Sequence, residues 1–212
     1  MKKTLTKKAG IISIITVVWV MTMPAVASTN VPAGPIIMDT TWAESGSPYI
    51  LNGSIVVGFD ATLTIDPNVQ VKLKSGFGLT IGSDAFGKGT LVAEGTQAEP
   101  ITFTSIKDPC DVNDPPRPGD WVQIHFSDFA EDAEPDGMGG FTGCVMDHVI
   151  LEYAGQFAQA AILAERSSPM LYSCMIRHNA GIGIAADGST SPPINISNCE
   201  IWDNPGRGIS IS

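Results

Sequence analysis

Three segments near the end of the chain decide the fold when they are aligned: MDHVILEYAG (146–155), SCMIRHNAG (173–181) and NCEIWDNPG (198–206). An isoleucine recurs at spacings of 26 and 25 residues, and a glycine recurs at the same two spacings. These columns are Ile150, Ile176 and Ile201, then Gly155, Gly181 and Gly206, with Asn179 over Asn204 and Cys174 over Cys199. Self-similarity with a period of roughly 20–50 residues is typical of a solenoid.

The repeating unit is built from strands. Short runs rich in Val, Ile, Leu and Thr alternate with Gly, Asn, Asp and Pro, and no sustained helical stripe occurs after residue 28. Leucine-rich and ankyrin-like repeats are therefore excluded, and a parallel β-helix remains. In such a coil each strand pairs with its equivalent one turn away, about 4.8 Å distant, so like residues stack in columns. The alternative, an antiparallel β-sandwich, would need Asn-Gly-type hairpins between strands, and few occur.

Composition limits the classes of partner. The 212 residues carry 12 Lys+Arg against 22 Asp+Glu, and the four lysines among residues 1–27 leave 8 basic against 22 acidic residues, a net charge of −14 after that segment. This balance argues against nucleic acid, because binding it requires Lys and Arg to neutralise phosphates. It also disfavours an anionic membrane surface and favours cations or neutral ligands.

The N-terminal residues 1–27 have the pattern of a secretory signal peptide. A basic start is followed by the apolar run 9–23, and Ala25-Val26-Ala27 supplies the small residues at a cleavage site. The run is shorter than the roughly 20 residues of a membrane span, which disfavours an uncleaved anchor. We therefore expect a secreted, extracellular or cell-surface protein, or a periplasmic one, with no membrane span after cleavage. Residues 28–47 are expected to form a lead-in or N-terminal cap, and 48–212 the coil.

The coil region resembles the secreted bacterial proteins of the pectin-lyase-like superfamily. The resemblance is carried by the repeated segments above and by PYILNGSIVV (48–57), ATLTIDPNVQVKL (61–73), GTLVAEGTQAEPITFTS (89–105) and GDWVQIHF (119–126). It implies a right-handed parallel β-helix, a fold that serves lyases, hydrolases, tailspikes and adhesins alike.

The same resemblance assigns no catalytic residue. Lyases of this superfamily use a cluster of Asp that binds calcium and an Arg base, whereas its hydrolases use neighbouring carboxylates. The Asn-Thr-Asp, Asp-Asp, His-Gly and Arg-x-Lys elements of polygalacturonases do not occur in the chain. Asp147-His148 is similar to a pectate-lyase strand motif, but it fits a plain turn of the coil equally well and has no matching downstream Arg element.

Outward positions near the end of the chain are candidates for carbohydrate binding. Alternation from the isoleucine column predicts that Leu151, Arg177 and Trp202 point outward, with Glu200 on the same face. Trp202 could stack on a sugar ring, and Arg177 beside Glu200 and Glu152 could clamp a sugar acid. The alternative is a surface ion pair of little energetic value.

An acidic insertion at 107–143 interrupts the repeats. Nine acids and one base, Arg117, lie between Asp108 and Asp136. Asp132, Glu134 and Asp136 are followed by a glycine and resemble the first half of a calcium loop, so calcium is the candidate cofactor. A solvated acidic loop without a metal is the alternative.

Four cysteines form two candidate pairs. Cys110 and Cys144 flank the insertion, and a bridge there would close its base. Cys174 and Cys199 occupy equivalent positions on neighbouring turns, within disulfide reach. Buried free thiols that pack as small apolar side chains are the preferred interpretation of the second pair.

The last segment predicts an open end. The sequence stops at 208–212 within a turn of the coil, so we expect a coil that is incomplete at its C-terminus or that closes against further chain or another protomer. The preferred interpretation is a secreted or cell-surface scaffold that binds a polysaccharide or cell-surface glycan, or calcium. The alternative is a lyase or glycoside hydrolase acting on acidic polysaccharides, with catalytic turns beyond this sequence.

Overall fold

The computed structural model describes residues 28–108, 113–157, 160–187 and 193–212. The predicted signal peptide at 1–27 lies outside these residues. Regular structure in the described residues is almost entirely β, apart from one short 3-10 turn at Glu44–Gly46. None of the helical structure there is long and apolar enough to cross a membrane.

The described strands form three parallel sheets and one small hairpin. The first sheet contains β1 (Thr29–Val31), β4 (Tyr49–Leu51), β7 (Gln70–Leu73), β10 (Ile101–Ser105), β15 (Val149–Glu152), β18 (Met175–Arg177) and β21 (Glu200–Trp202). The second sheet contains β2 (Gly34–Ile36), β5 (Ile55–Val57), β8 (Leu79–Ile81), β11 (Ile124–Phe126), β16 (Ala160–Ala164), β19 (Ile182–Ala186) and β22 (Ile209–Ile211). The third sheet contains β3 (Thr40–Trp42), β6 (Ala61–Ile65), β9 (Gly89–Glu94), β14 (Val145–Asp147), β17 (Met170–Tyr172) and β20 (Asn195–Ser197). The hairpin pairs β12 (Glu134–Pro135) with β13 (Phe141–Thr142) in antiparallel fashion.

The chain visits the three sheets in rotation. β1, β2 and β3 begin the three sheets, and β4, β5 and β6 pair with them in parallel one turn later. Apart from the β12–β13 hairpin, the same order continues to β22. The expected all-β parallel solenoid is thereby confirmed as an architecture.

The interior is filled by apolar columns that run across the turns. In the first sheet the inward column consists of Tyr49, Val71, Phe103, Leu151, Ile176 and Ile201. All but Ile201 are buried, and Ile201 packs against the same cluster. Each fully buried aliphatic side chain contributes roughly 1.5–3 kcal/mol, so the stack supplies the driving force that a single turn lacks.

The observed strand register differs by one residue from the register that the sequence predicts. Ile176 pairs with Leu151, which is fully buried, whereas Ile150 pairs with Met175 on the outer face and is half-buried. The prediction that Leu151 points outward is therefore wrong. Consecutive residues of this strand are aliphatic, so an alternating apolar pattern cannot show which of them face the core. A shift of the strand register by one residue exchanges the inner and outer faces.

Residues 28–47 form the first turn of the coil, where a lead-in or cap was expected. Their strands β1, β2 and β3 add one strand to each sheet. Trp42 is buried and stacks on Tyr49, with ring centroids 5.0 Å apart.

The acidic insertion at 107–143 lies on both sides of β11. Its first part contacts the first sheet, because Lys72 donates to the carbonyl of Asp108 and Ser105 donates to Asp120 at 2.7 Å. Its second part carries the β12–β13 hairpin. Asp120 is therefore held against the coil, whereas Asp114, Glu134 and Asp136 are exposed.

Candidate functional site

The outer face of the first sheet carries a column of polar side chains. Thr104, Glu152, Arg177 and Trp202 occupy successive strands, and the register pairs Arg177 with Glu152 on one side and with Trp202 on the other. The Thr104 hydroxyl donates to Glu152 at 3.2 Å. Thr104 and Glu152 are buried beneath neighbouring segments, whereas 45% of Trp202 is exposed. Within this column, only Arg177 and Trp202 are therefore accessible to a ligand.

Arg177 links the buried and exposed parts of the column. Its Nε donates to Glu152 Oε2 at 3.1 Å, and its guanidinium carbon lies 5.6 Å from the centre of the Trp202 ring. The ion pair and the cation–π contact hold the guanidinium in place. The remaining donors of the planar guanidinium are suited to hydroxyl or carboxylate oxygens of a ligand.

Tyr153, His178 and Asp203 extend this surface at the bends that follow the strands. All three have left-handed backbone conformations, with φ of 65°, 57° and 51°. The rings of Tyr153 and His178 stack with centroids 5.9 Å apart, and His178 meets Trp202 edge-on at 5.0 Å. His178 Nδ1 lies 2.5 Å from Asp203 Oδ2, so one end of the imidazole is fixed. We call Tyr153, Arg177, His178, Trp202 and Asp203 the aromatic patch.

The three predicted carbohydrate-binding residues are only partly brought together. Arg177 and Trp202 are in contact, as expected. Glu200 is exposed on the same face but belongs to the neighbouring column, in register with Met175. Among the described ion pairs Arg177 has Glu152 as its partner.

The sequence interpretation missed the ring contacts of the aromatic patch. His178 and Asp203 have the left-handed backbone typical of turn residues, but the His178 ring also contacts Trp202 and the Asp203 carboxylate. Aligning Tyr153, His178 and Asp203 at a uniform spacing of 25 residues would have revealed the column.

A separate cleft lies on the outer face of the third sheet. Asp147 pairs with Glu94 on one side and with Tyr172 on the other, so two carboxylates and a phenol are stacked on neighbouring strands. Phe141 of the hairpin and these three residues line a cleft of about 380 Å³. We call it the carboxylate cleft.

His148 follows Asp147 in the chain and stands at a strained backbone position. It has φ of 47°, and its ring lies edge-on to Tyr172 with centroids 6.4 Å apart. His148 Nδ1 is 2.6 Å from Asp147 Oδ1, yet neither buried atom has a hydrogen-bond partner among the described residues. The two observations agree if the contact is short but poorly aligned, since alignment matters as much as distance in a hydrogen bond.

The predicted calcium ligands are engaged separately. Asp132 accepts a hydrogen bond from the Ser168 amide at 2.7 Å, and Glu134 belongs to the hairpin. Asp136 accepts from the amides of Met138 and Gly140 at 2.7 and 2.9 Å, and these bonds lower the pKa of its carboxyl group. Among the described residues, no three His, Cys, Asp or Glu side chains are grouped closely enough to hold a metal ion. The described structure therefore does not bring Asp132, Glu134 and Asp136 together as one group of ligands, and calcium binding stays a prediction.

The described cysteines are free thiols. Cys144 is completely buried, and burial raises the pKa of its thiol to about 12. Its candidate partner Cys110 lies outside the described residues. Cys174 and Cys199 are stacked on neighbouring turns as predicted, but are not joined by a disulfide.

Comparison with protein-family models, with curated proteins and with solved structures finds no match for this chain.

Proposed function

We propose that the protein is a secreted or cell-surface scaffold, coiled as a right-handed parallel β-helix, that binds a glycan through the aromatic patch. Export is supported by the pattern of residues 1–27. The β-helix is supported by the rotation of the chain through three parallel sheets and by the known right-handedness of parallel strand crossovers.

The observation that carries the proposal is the exposed, fixed ring of Trp202. Arg177 contacts one side of it and His178 meets it edge-on, so the ring is held in one orientation before any ligand arrives. A preorganised aromatic surface binds the apolar face of a sugar ring at low entropic cost. Arg177 and Glu200 lie beside it and offer donors and acceptors for hydroxyl groups.

The charge of the surface favours a neutral glycan. Arg177 is already paired with Glu152, whereas Glu200 and Asp203 add two carboxylates nearby. The residues after 27 carry a net charge of −14, from 8 basic and 22 acidic residues. This field repels a polyanion at long range, so hydroxyl recognition and stacking are expected to dominate.

Trp202→Ala tests the proposal. Glycan-array screening identifies a ligand, and calorimetry then compares affinities. We expect Trp202→Ala to weaken binding about tenfold or more, which corresponds to about 1.4 kcal/mol. Trp202→Phe keeps an aromatic face and should retain most of the affinity.

Phe157→Ala is the matched control, because Phe157 is 94% exposed and is not part of the patch. Circular dichroism verifies that each variant is folded. If Trp202→Ala binds as tightly as wild type, or if Phe157→Ala loses as much affinity, the aromatic patch is not the binding site.

A polysaccharide hydrolase is the second candidate, and the carboxylate cleft favours it. Glu94 and Asp147 are directly opposed on neighbouring strands, about 4.8 Å apart at the backbone. Side chains in register on adjacent strands can bring two carboxyl groups to the separation of roughly 5–5.5 Å that retaining glycosidases use. The candidate predicts release of reducing ends from a polysaccharide by wild type and loss of that activity in Asp147→Asn, with Trp202→Ala affecting affinity alone.

A further inference from the structure

Cys174 and Cys199 occupy equivalent corners of two consecutive turns. Each precedes a strand of the first sheet, β18 and β21 respectively. The Glu200 amide donates to the carbonyl of Cys174 at 2.8 Å, and the Cys174 amide donates to Cys199 Sγ at 3.4 Å. Stacked backbones about 4.8 Å apart lie within the Cα separation of roughly 4.4–6.8 Å found in disulfides. The two sulfur atoms can therefore be joined with little movement of the coil.

The two thiols differ in accessibility. Cys174 is 1% exposed and belongs to the hydrophobic core, where its Sγ lies 3.3 Å from the carbonyl of Met146. Cys199 is only half-buried and lines a cleft of about 390 Å³ together with His148 and Glu200. Cys174 also lines this cleft but is almost inaccessible, so a reagent there reaches the more exposed Cys199 first.

The pair is also electrostatically asymmetric. The adjacent Cys174 side chain, together with the Cys174 amide that donates to Cys199 Sγ, lowers the pKa of Cys199 to about 7. The adjacent Cys199 sulfur and burial raise the pKa of Cys174 well above its ordinary value. The Asp147 carboxylate opposes ionisation of both thiols, and His148 and Glu200 are the other ionisable groups lining the cleft. The thiolate form is therefore concentrated on the accessible sulfur near neutral pH.

We propose that Cys199 and Cys174 form a thiol–disulfide exchange site, at which a low-molecular-weight disulfide modifies Cys199 and Cys174 resolves the adduct into a disulfide between consecutive turns. The proposed glycan-binding function does not require this site, so each proposal can be tested independently of the other.

The exchange is balanced in two steps. The Cys199 thiolate attacks one sulfur of the disulfide RSSR, which forms a Cys199–S–S–R bond and releases RS⁻. Cys174 then loses its proton to that thiolate or to solvent and attacks Cys199 Sγ, which forms the Cys174–Cys199 bond and releases the second RS⁻. The sum is two protein thiols plus RSSR giving one protein disulfide plus two RSH, with RSSR as the oxidant.

Oxidised glutathione is the probe that tests the site. The fully reduced full chain, carrying Cys110→Ser so that this residue does not compete, is treated at pH 7 and mapped by mass spectrometry of its peptides. We expect the parent chain to lose two hydrogens at the Cys174–Cys199 pair without a lasting adduct. Cys174→Ser should accumulate one glutathione on Cys199, and Cys199→Ser should remain unmodified at Cys174.

Limited alkylation of the reduced parent chain gives a second measurement that needs no cysteine substitution within the pair. A pKa lowered to about 7 places more of Cys199 in the thiolate form at pH 7 than the about 3% expected for an ordinary cysteine. We expect Cys199 to react with iodoacetamide at least tenfold faster than Cys174, with buried Cys144 as an internal unreactive control. Equal labelling of Cys174 and Cys199, a lasting glutathione adduct on the parent chain, or modification of Cys174 in Cys199→Ser would each overturn the proposal.

Discussion

At the scale of single residues, Asn179 shows how a buried polar side chain holds a bend. Its Oδ1 accepts from the Ala154 amide at 2.7 Å, and its Nδ2 donates to Asn204 Oδ1 at 3.0 Å and to the Leu151 carbonyl at 3.4 Å. Asn179 is completely buried. One side chain thus satisfies backbone groups of the preceding turn and connects to the equivalent asparagine of the next turn.

Replacing Asn179 by Ala is expected to lower the free energy of unfolding by about 2 kcal/mol. The substitution leaves the buried amide of Ala154 without an acceptor, and an unsatisfied buried group costs about 1–3 kcal/mol. Urea denaturation followed by circular dichroism measures the change. Asn52→Ala is the control: Asn52 is exposed, water replaces its bond to Asn30, and its substitution should stay within about 0.5 kcal/mol. Equal losses in the two variants would refute this role of Asn179.

The alignment of asparagines predicted the stacking of Asn179 on Asn204, because like side chains in one column have one neighbour to meet. The sequence could not show which acidic residue forms the ion pair with Arg177. Glu152 and Glu200 lie at similar sequence distances from it, and the choice of Glu152 depends on a register that shifts with one residue. The burial that separates Cys174 from Cys199 likewise depends on packing across turns.

At the scale of elements, β15 shows what the apolar pattern of a strand cannot predict. The strand Val149–Glu152 contains three consecutive aliphatic residues, so either face could be apolar. The bend residue Tyr153 and the pairing with β18 place Leu151 in the core and Ile150 outside. The spacing of 25 residues through Leu151, Ile176 and Ile201 is more regular than the 26 and 25 of the predicted column.

Matched alanine substitutions in β15 test this register. Leu151→Ala removes a fully buried side chain and should lower the free energy of unfolding by about 2–5 kcal/mol. Ile150→Ala removes a half-buried side chain on the outer face and should cost clearly less, about 1 kcal/mol. The two free energies are compared under the same denaturation conditions. A larger loss for Ile150→Ala would favour the register that the sequence first suggested.

At the scale of the whole molecule, the period in the last third of the sequence predicted the architecture of the described chain. The same pairing rotates through three sheets from residue 29 to residue 211. The sequence did not predict that residues 28–47 belong to the coil, because their strands are short and have a weak apolar pattern. The contacts of the insertion with the sheet were not predicted either. Lys72 and Ser105 hold the insertion through single hydrogen bonds, and a repeat spacing gives no information about such bonds.

The candidate sites follow from the same architecture. A parallel coil places residues that are 25 positions apart within contact distance, and this spacing brings Cys174 to Cys199 and Arg177 to Trp202. If the turns did not stack in register, neither the aromatic patch nor the thiol pair would exist.

Methyl-to-methyl nuclear Overhauser effects measure this stacking directly. In a sample labelled at Leu and Ile methyl groups, we expect strong cross-peaks between Leu151 and Ile176 and between Ile176 and Ile201, whose strands are neighbours. The cross-peak between Leu151 and Ile201 should be much weaker, because two strand spacings, about 9.6 Å, separate them. Strong cross-peaks from Ile150 to Ile176 would contradict the observed register, and the absence of a cross-peak between Ile176 and Ile201 would contradict a parallel coil.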